Sequence, residues 1–262
     1  MLIPLPPSTT DPFAMPGSLA SALCLHGYTG TPYELRPLAA ALSDAGIACI
    51  GPLLRGHGRD PAALRSVTAE DWQRQVRAAF SQLSPERPRF LIGSSMGCLL
   101  ALACAVERPN DVDGLVLLAP ALVPYPMGRV ALALAHGGLG RVMRAIPKAA
   151  PGGDVVDPEA RRANPTYPEL PVFGMGELEE LRRKVVTQLP LVRAPILVVH
   201  GTLDRTMSPA SARLIASQVT SKRIERYELP RSGHLLALDV ERAALVALVT
   251  RFLRERLEER SA

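Results

Sequence analysis

The sequence predicts an α/β fold in which helices cover both faces of a mostly parallel, doubly wound sheet. Two observations carry this prediction. Short, almost wholly apolar runs alternate along the chain with longer segments whose apolar residues recur at helical spacing. Strands that are apolar on both faces belong to a parallel sheet covered on both sides. A chain of 262 residues also fits one such core with a sizeable insertion.

The first two strand–helix units are marked by their boundaries. Residues 20–25 form an apolar run, and the helix predicted after it has leucines at helical spacing and stops at Gly46. Residues 47–50 predict a second short strand. Thr68 stands three residues before Asp71, which is the spacing of a capping box and predicts the start of the next helix.

The alternation continues beyond these units and resumes after an interruption. Residues 89–92 and 114–119 predict two further strands, separated by a strongly apolar helix over 96–107. After the interruption, residues 196–200 predict a buried strand and residues 224–229 predict an edge strand. A helix is expected to follow each of these last two strands.

The interrupted stretch is predicted to be an insertion. Pro and Gly are frequent in it, no strand pattern is clear, and helices are expected only around 127–135 and 176–187. We therefore predict a core of residues 1–121 and 190–262. Residues 122–189 would form a small helical cap at the top of the continuous sheet.

Composition and segment patterns exclude several classes of protein. The formal charge is +5, but the 27 Arg and 3 Lys are scattered and aromatic residues make up only 4%, unlike a nucleic-acid-binding surface. The N-terminus lacks the pattern of a signal peptide, and no run approaches the roughly 18 apolar residues of a membrane span. The four cysteines lie in or beside apolar runs without a CxxC pair. We expect no nucleic-acid partner, no membrane span and a cytoplasmic location.

Ser95 is the candidate nucleophile. It stands between the strand at 89–92 and the apolar helix, with Gly93 two residues before it and Gly97 two residues after it. A serine raised on a tight strand-to-helix turn crowds these two positions, so they must lack side chains. Around Ser94 the same positions carry large apolar side chains. The G-x-S-x-G pattern alone occurs in many glycine-rich turns, so the interpretation depends on partners elsewhere.

A nucleophilic serine needs a base and an acid that orients this base. Because the carboxyl ends of parallel strands meet at one edge of a sheet, these partners should follow later strands. Asp204 follows the strand after the insertion, and His234 follows the last strand. The order Ser95, Asp204, His234 is that of a nucleophile-elbow hydrolase. A plain loop histidine at 234 is the alternative, and Asp239 is a rival acid, although the last helix needs an N-cap there.

Backbone amides are the expected donors to an oxyanion. The Met96 N–H stands at the helix N-terminus after Ser95, and the Tyr28 N–H stands in the turn after the first strand. The Tyr28 side chain is also a candidate substrate contact, as are Tyr125, Met127 and Phe173, which packing within the cap explains equally well. Three other histidines near these loops are interpreted as structural: His26, His57 and His200.

Seven segments, in order along the chain, carry a family resemblance. They are HGYTGTPYELRPLAAALSDAGI, LLRGHG, TAEDW, IGSSMGCLLAL, LAPAL, PILVVHGTLD and SGHLLALD. The chain thereby resembles the α/β-hydrolase superfamily and, within it, the small bacterial carboxylesterases and monoacylglycerol lipases, with the insertion matching only loosely. The resemblance implies an α/β-hydrolase fold, no metal or organic cofactor, and the site residues Ser95, Asp204, His234, Tyr28 and Met96.

These features predict a serine hydrolase that cleaves carboxylic esters through an acyl-enzyme. Short- to medium-chain acyl esters or monoacylglycerols are expected, because a small cap over an apolar cleft suits a single acyl chain. A thioesterase would use the same triad, and a hydrolase-fold receptor would bind a ligand with little turnover. A serine aminopeptidase needs acidic residues for an amino terminus, and Glu177, Glu179 and Glu180 keep that alternative open. The expected partner is a small ester, and the expected assembly is a monomer or homodimer.

Overall fold

Seven strands form the central sheet of the computed structural model, which describes residues 4–148 and 151–261. In chain order the strands of the molecule are β1 (Phe13–Met15), β2 (Ala20–Leu25), β3 (Ile47–Gly51), β4 (Arg89–Ser94), β5 (Gly114–Leu118), β6 (Ala145–Pro147), β7 (Glu169–Pro171), β8 (Ile196–Gly201) and β9 (Ile224–Leu229). The order across the sheet is β1-β3-β2-β4-β5-β8-β9, and β6 pairs with β7 separately. Only β1 runs antiparallel to its neighbour in the sheet, so the predicted mostly parallel sheet is confirmed.

Helices cover both faces of this sheet. They are α1 (Arg36–Asp44), α2 (Ala69–Phe80), α3 (Met96–Glu107), α4 (Pro126–His136), α5 (Pro158–Ala163), α6 (Val172–Gln188), α7 (Ala210–Gln218) and α8 (Arg242–Ser261). One apolar cluster joins the sheet to α2, α3 and α7, and a second cluster joins its other face to α1 and α8. Neighbouring strand residues alternate between the clusters, as in Phe90 and Leu91, because successive side chains point to opposite faces. The doubly wound α/β fold is therefore confirmed.

The predicted helix boundaries follow from local chemistry. Thr68 Oγ1 accepts the Asp71 N–H at 3.2 Å while the Asp71 carboxylate accepts the Thr68 N–H at 3.0 Å, which is a complete capping box at the start of α2. Gly46, just after α1, has a φ of +89°, a conformation that favours glycine. Helix α6 begins at Val172, four residues before the predicted start.

Three short strands were not predicted. Strand β1 pairs Met15 with Cys49 at the sheet edge, where the neighbouring prolines cost no ladder hydrogen bond. Strands β6 and β7 pair antiparallel, with Ile146 opposite Leu170. The prediction of no strand in residues 122–189 is therefore wrong. Segments of three residues carry almost no periodicity, and each of these depends on a partner distant in sequence.

The parallel register brings the carboxyl ends of five neighbouring strands to one edge of the sheet. Leu25 pairs with Gly93 and Ser94 with Leu118, so the carboxyl ends of β2, β4 and β5 are level. Strands β8 and β9 continue the same direction, with Gly201 opposite Leu229. The loops that carry the candidate site residues start from this edge. Within residues 4–148 and 151–261, no helix is long and apolar enough to cross a membrane.

Candidate active site

Ser95 lies in a strained turn between β4 and α3. Its φ is 52° and its ψ is −111°, a combination that costs a non-glycine residue energy and persists only where the surroundings enforce it. A Cβ on Gly93 would lie 2.4 Å from the carbonyl carbon of Gly97, and a Cβ on Gly97 would lie 1.9 Å from the Leu25 carbonyl oxygen. Both flanking positions therefore require glycine.

Ser94 occupies a different environment from Ser95. It is the last residue of β4, pairs with Leu118 across the sheet and is buried. The Ser95 N–H donates to the carbonyl of Leu118 at 2.9 Å, which ties the turn to β5. The turn therefore belongs to Ser95, and Ser94 belongs to the sheet.

The structure brings Asp204 and His234 together, although they lie 30 residues apart. Asp204 follows β8, His234 follows β9, and the His234 Nδ1 lies 2.8 Å from Asp204 Oδ2. Because the carboxylate can only accept, the Nδ1–H donates, which leaves the lone pair of the imidazole on Nε2. Both side chains are buried. This arrangement orients an imidazole as a base.

Four groups donate to the Asp204 carboxylate. Oδ1 accepts the backbone N–H groups of Thr206 at 2.7 Å and Met207 at 2.8 Å. Oδ2 accepts from His234, and it lies 3.1 Å from Nε2 of His200, whose ring also contacts the Met207 carbonyl at 2.9 Å. His200 was predicted to be structural only, and its contact with the candidate acid was missed.

Burial and charge shift the pKa values of this pair in opposite directions. Burial raises the pKa of Asp204, but the charge of His234 and the hydrogen bonds from His200, His234 and Met207 outweigh it, so this pKa lies well below its usual range. Burial lowers the pKa of His234, but Asp204, together with Asp154 and Glu34, raises it above its ordinary value. The pair therefore favours a carboxylate beside an imidazole that readily accepts a proton.

The loop that carries His234 is held from two sides. The His234 N–H donates to the carbonyl of Asp154, in the predicted insertion, at 2.9 Å. The Asp239 carboxylate accepts the Gly233 N–H at 2.7 Å and also the N–H groups of Val156 and Asp157. The prediction that Asp239 caps the last helix is wrong, because α8 begins at Arg242 and the carboxylate fastens the His234 loop instead.

The Tyr28 turn lies beside Ser95 at the end of β2. Among the described residues, neither the Tyr28 N–H nor the Met96 N–H donates to a protein acceptor. The Gly27 N–H donates to Glu34 Oε2 at 2.9 Å, and the Tyr28 hydroxyl donates to the carbonyl of Pro171. Burial raises the pKa of the Tyr28 phenol, so the hydroxyl keeps its proton. Two amides are thus left available in the turns that adjoin Ser95.

His26 and His57 make structural contacts near this turn. The His26 Nε2 accepts the Leu54 N–H at 3.0 Å, and its Nδ1 contacts the Gly27 carbonyl at 2.9 Å. Burial lowers the pKa of His26, and it lowers the pKa of His57 to about 4. The His57 Nδ1 lies 3.1 Å from the Arg55 carbonyl. Both rings therefore stay neutral near pH 7 and brace the loops.

The four candidate substrate contacts differ in exposure. Tyr28 is half-buried, with its ring edge-on to Trp72 at 6.4 Å between centroids. Met127 is 87% exposed, and Tyr125 is partly exposed. Phe173 lines a depression with His136 and neighbouring α6 residues, and none of the candidate triad residues lines it. Of the four, Tyr28 is the one whose backbone adjoins Ser95.

Sequence reasoning missed two charged residues near this turn, Glu34 and Lys148. Glu34 lies in a segment that was interpreted from its apolar pattern, and Lys148 lies in one that was interpreted from its Pro and Gly content. The rarity of lysine could have drawn attention to Lys148, because the chain has only three lysines against 27 arginines. Within the described residues, no group of three or more His, Cys, Asp or Glu side chains is placed to hold a metal ion.

Comparisons with known proteins agree on the architecture. A family model described as serine aminopeptidase, S33, matches residues 18–241. The thermostable monoacylglycerol lipase of Bacillus sp. (strain H-257) is 28% identical over 241 residues, which cover 91% of this chain and 92% of that protein. The carboxylesterase of Bacillus subtilis (strain 168) is 26% identical over 250 residues, which cover 94% and 96%.

Solved structures are similar over nearly the whole chain. A structure from the metagenome-derived lipolytic enzymes LipS and LipT has a TM-score of 0.85 and 28% identity, covering 94% of this chain and 98% of that one. The Paleococcus ferrophilus monoacylglycerol lipase has a TM-score of 0.79 at 17% identity, covering 94% and 98%. At that identity the second likeness concerns the fold alone.

Proposed function

Because the chain belongs to the serine aminopeptidase S33 family of α/β-hydrolases, we propose that it cleaves carboxylic esters through an acyl-enzyme formed on Ser95. The observation that carries the proposal is the Asp204–His234 hydrogen bond of 2.8 Å at the sheet edge where Ser95 stands on its strained turn. The relatives named monoacylglycerol lipase and carboxylesterase support esters as the substrate class.

In the proposed mechanism, the His234 Nε2 removes the proton from Ser95 Oγ as this oxygen attacks the ester carbonyl carbon. The tetrahedral intermediate collapses by breaking its bond to the alcohol oxygen, which leaves with the proton from His234. Water then attacks the acyl-enzyme by the same proton route and releases the carboxylic acid. Asp204 stays ionised throughout, fixes the imidazole tautomer and stabilises its charged form.

The oxyanion of each intermediate would be bound by the backbone N–H groups of Tyr28 and Met96. Both amides lack a protein acceptor among the described residues, and the Met96 amide adds the partial positive charge of the α3 N-terminus. Preorganised donors of this kind act where charge develops in the transition state. Losing one of them typically costs on the order of 100-fold or more in rate.

Short- to medium-chain acyl esters, including monoacylglycerols, are the proposed substrates, with residues 122–189 as the cap over the cleft. Apolar residues of α4 and α6, such as Leu132 and Met175, join the same buried cluster as α3, which supports an apolar environment beside Ser95. Residues 1–121 and 190–262 form the proposed core. A cytoplasmic location and the monomer or homodimer assembly stay predictions.

A peptidase is the second candidate, because the matching family is described as an aminopeptidase. Two of the three acidic residues considered for an amino terminus, Glu177 and Glu179, are engaged elsewhere. Glu179 is buried and pairs with Arg182 and Arg183, both at 2.7 Å. Glu177 accepts the Ala69 N–H at 2.8 Å. These contacts favour esterase over peptidase, while a thioesterase differs only in its leaving group.

The proposal is tested by steady-state hydrolysis of p-nitrophenyl esters of increasing acyl length, with Ser95→Ala and Ser94→Ala in parallel. Turnover that is lost in Ser95→Ala and retained in Ser94→Ala is the expected result. Amino-acyl p-nitroanilides and acyl thioesters are measured beside the esters. Faster turnover of either would reassign the substrate class, and ligand-induced thermal stabilisation without product would indicate a receptor.

A further inference from the structure

A buried carboxylate supports the turn beside Ser95. Glu34 lies in the short 3₁₀ turn Pro32–Leu35 and is only 4% exposed. Its Oε2 accepts the Gly27 N–H at 2.9 Å, directly before Tyr28. A Cβ on Gly27 would lie 3.3 Å from this oxygen and 3.3 Å from the Ser95 Cβ. The carboxylate and the candidate nucleophile therefore flank the same glycine.

Gly30 provides the space for this carboxylate. A Cβ on Gly30 would lie 1.8 Å from Glu34 Oε1, so any side chain there would displace it. Residue 30 also closes the turn, because its N–H donates to the Gly27 carbonyl at 3.1 Å. The turn from Gly27 to Gly30 is thus built around the Glu34 side chain.

Charged groups from two other segments act on Glu34. Lys148, directly after β6, donates to Thr166 Oγ1 at 2.7 Å, and this hydroxyl donates to the Thr29 carbonyl at 2.9 Å. The charge of His234, in the loop after β9, also acts on the Glu34 carboxylate. Burial raises the pKa of Glu34, and the Gly27 amide, Lys148 and His234 partly oppose this shift. Burial also disfavours the charged form of Lys148 and lowers its pKa to about 8.

We propose that Glu34 is a positioning residue that holds the Gly27–Gly30 turn so that the Tyr28 N–H points to the oxyanion. The inference rests on the proposed function, since it assigns the oxyanion donor of that same site. The carboxylate has a second effect through its charge. Together with Asp204 and Asp154, it favours the protonated form of His234 that arises when Ser95 loses its proton.

Two substitutions separate these effects. Glu34→Ala removes both the acceptor and the charge, whereas Glu34→Gln keeps an acceptor oxygen of nearly the same shape and removes the charge alone. Glu86→Ala, at an exposed glutamate, is the matched control. For each variant, kcat and KM on a p-nitrophenyl ester, the His234 titration by NMR and the exchange rate of the Gly27 amide are measured.

We expect Glu34→Ala to lower kcat about 10- to 100-fold with little change in KM, because a misplaced donor weakens the transition state rather than the bound substrate. Glu34→Gln should recover most of this loss. In both variants the His234 titration midpoint should move to lower pH, and in Glu34→Ala the Gly27 amide should exchange faster. Glu86→Ala should match the wild type.

The proposal is overturned if Glu34→Ala keeps kcat within about twofold of the wild type, or if the His234 midpoint moves in neither variant. If Glu34→Ala does not fold, Glu34→Asp is measured in its place, because the shorter side chain withdraws the acceptor from the Gly27 N–H and keeps the charge; an unchanged kcat in Glu34→Asp then overturns the proposal. A folded wild type that hydrolyses no ester overturns the proposed function instead. In that case the Gly27 exchange rate and the His234 midpoint still decide the role of Glu34, because neither depends on turnover.

Discussion

Asp204 is shared by two histidines, since the oxygen that accepts from His234 at 2.8 Å also lies 3.1 Å from Nε2 of His200. His200 is the next-to-last residue of β8, and Asp204 lies four residues later, so the strand end and the following loop fold back on each other. The Nδ1 of His200 is buried without a partner among the described residues. The ring therefore uses its Nε2–H on Asp204 and the Met207 carbonyl.

Replacing His200 should cost stability as well as activity. His200→Ala removes a hydrogen bond to a buried carboxylate, and bonds to charged groups contribute roughly 1.5–3 kcal/mol. We expect the free energy of unfolding in urea to fall by about 2 kcal/mol or more and kcat to fall less than in Asp204→Asn. Unchanged stability would show that the backbone donors and His234 hold Asp204 without His200.

Asp204→Asn should abolish most of the activity while it preserves the fold. An amide at this position can donate to the imidazole and stabilise the wrong tautomer. In a Ser-His-Asp triad of a serine protease the same change costs about 10⁴-fold in kcat. We expect a loss of about 10³- to 10⁴-fold in ester turnover. Asp44→Asn, at an exposed residue, is the control. Activity within about tenfold of the wild type would contradict the proposed role of Asp204.

The pH dependence of stability should reveal Asp204 as well. Its pKa is depressed in the folded state, so the ion contributes stability above its unfolded pKa of about 3.9, and this is lost as pH falls through the folded value. The difference in unfolding free energy between wild type and Asp204→Asn should therefore shrink as pH falls below about 4. A difference that is constant with pH contradicts this origin.

The pH–rate profile should report His234. Its folded pKa is raised, and the proposed base must be neutral to accept a proton, so kcat/KM should fall with acidity at a midpoint above about 6.5. The stability that the charged imidazole gains from Asp204 depends on pH in the opposite direction. It is present below about pH 6.5 and is lost as pH rises through the raised pKa of His234. A midpoint well below 6 would mean that burial dominates over Asp204.

A glycine substitution beside Ser95 tests the turn, and one in α4 is its control. Gly97→Ala places a Cβ 1.9 Å from the Leu25 carbonyl oxygen, so we expect a loss of about 3 kcal/mol or more in unfolding free energy. Gly128→Ala, in α4, meets its nearest heavy atom at 3.5 Å and should gain up to about 1 kcal/mol from helix propensity. Equal effects in thermal unfolding would contradict the close approach of α3 to β2.

The sequence by itself determined six of the seven strands of the central sheet, the helices that alternate with them, and the places of Ser95, Asp204 and His234 after these strands. These features depend on short local patterns: apolar runs, a capping box and glycines two residues on either side of Ser95. Parallel strands add one general rule, that loops after their carboxyl ends meet at one edge. A local pattern combined with that rule is enough to predict that Asp204 and His234 approach each other.

Only the tertiary structure decided which polar groups support the site. Asp239 fastens the His234 loop to residues 156 and 157, His200 turns its ring onto Asp204, and Glu34 reaches back to Gly27. The pairing of β6 with β7 is of the same kind. A buried polar atom must find a partner wherever the packed chain brings one. That partner is set by three-dimensional packing between distant segments, which leaves no periodic trace in the sequence.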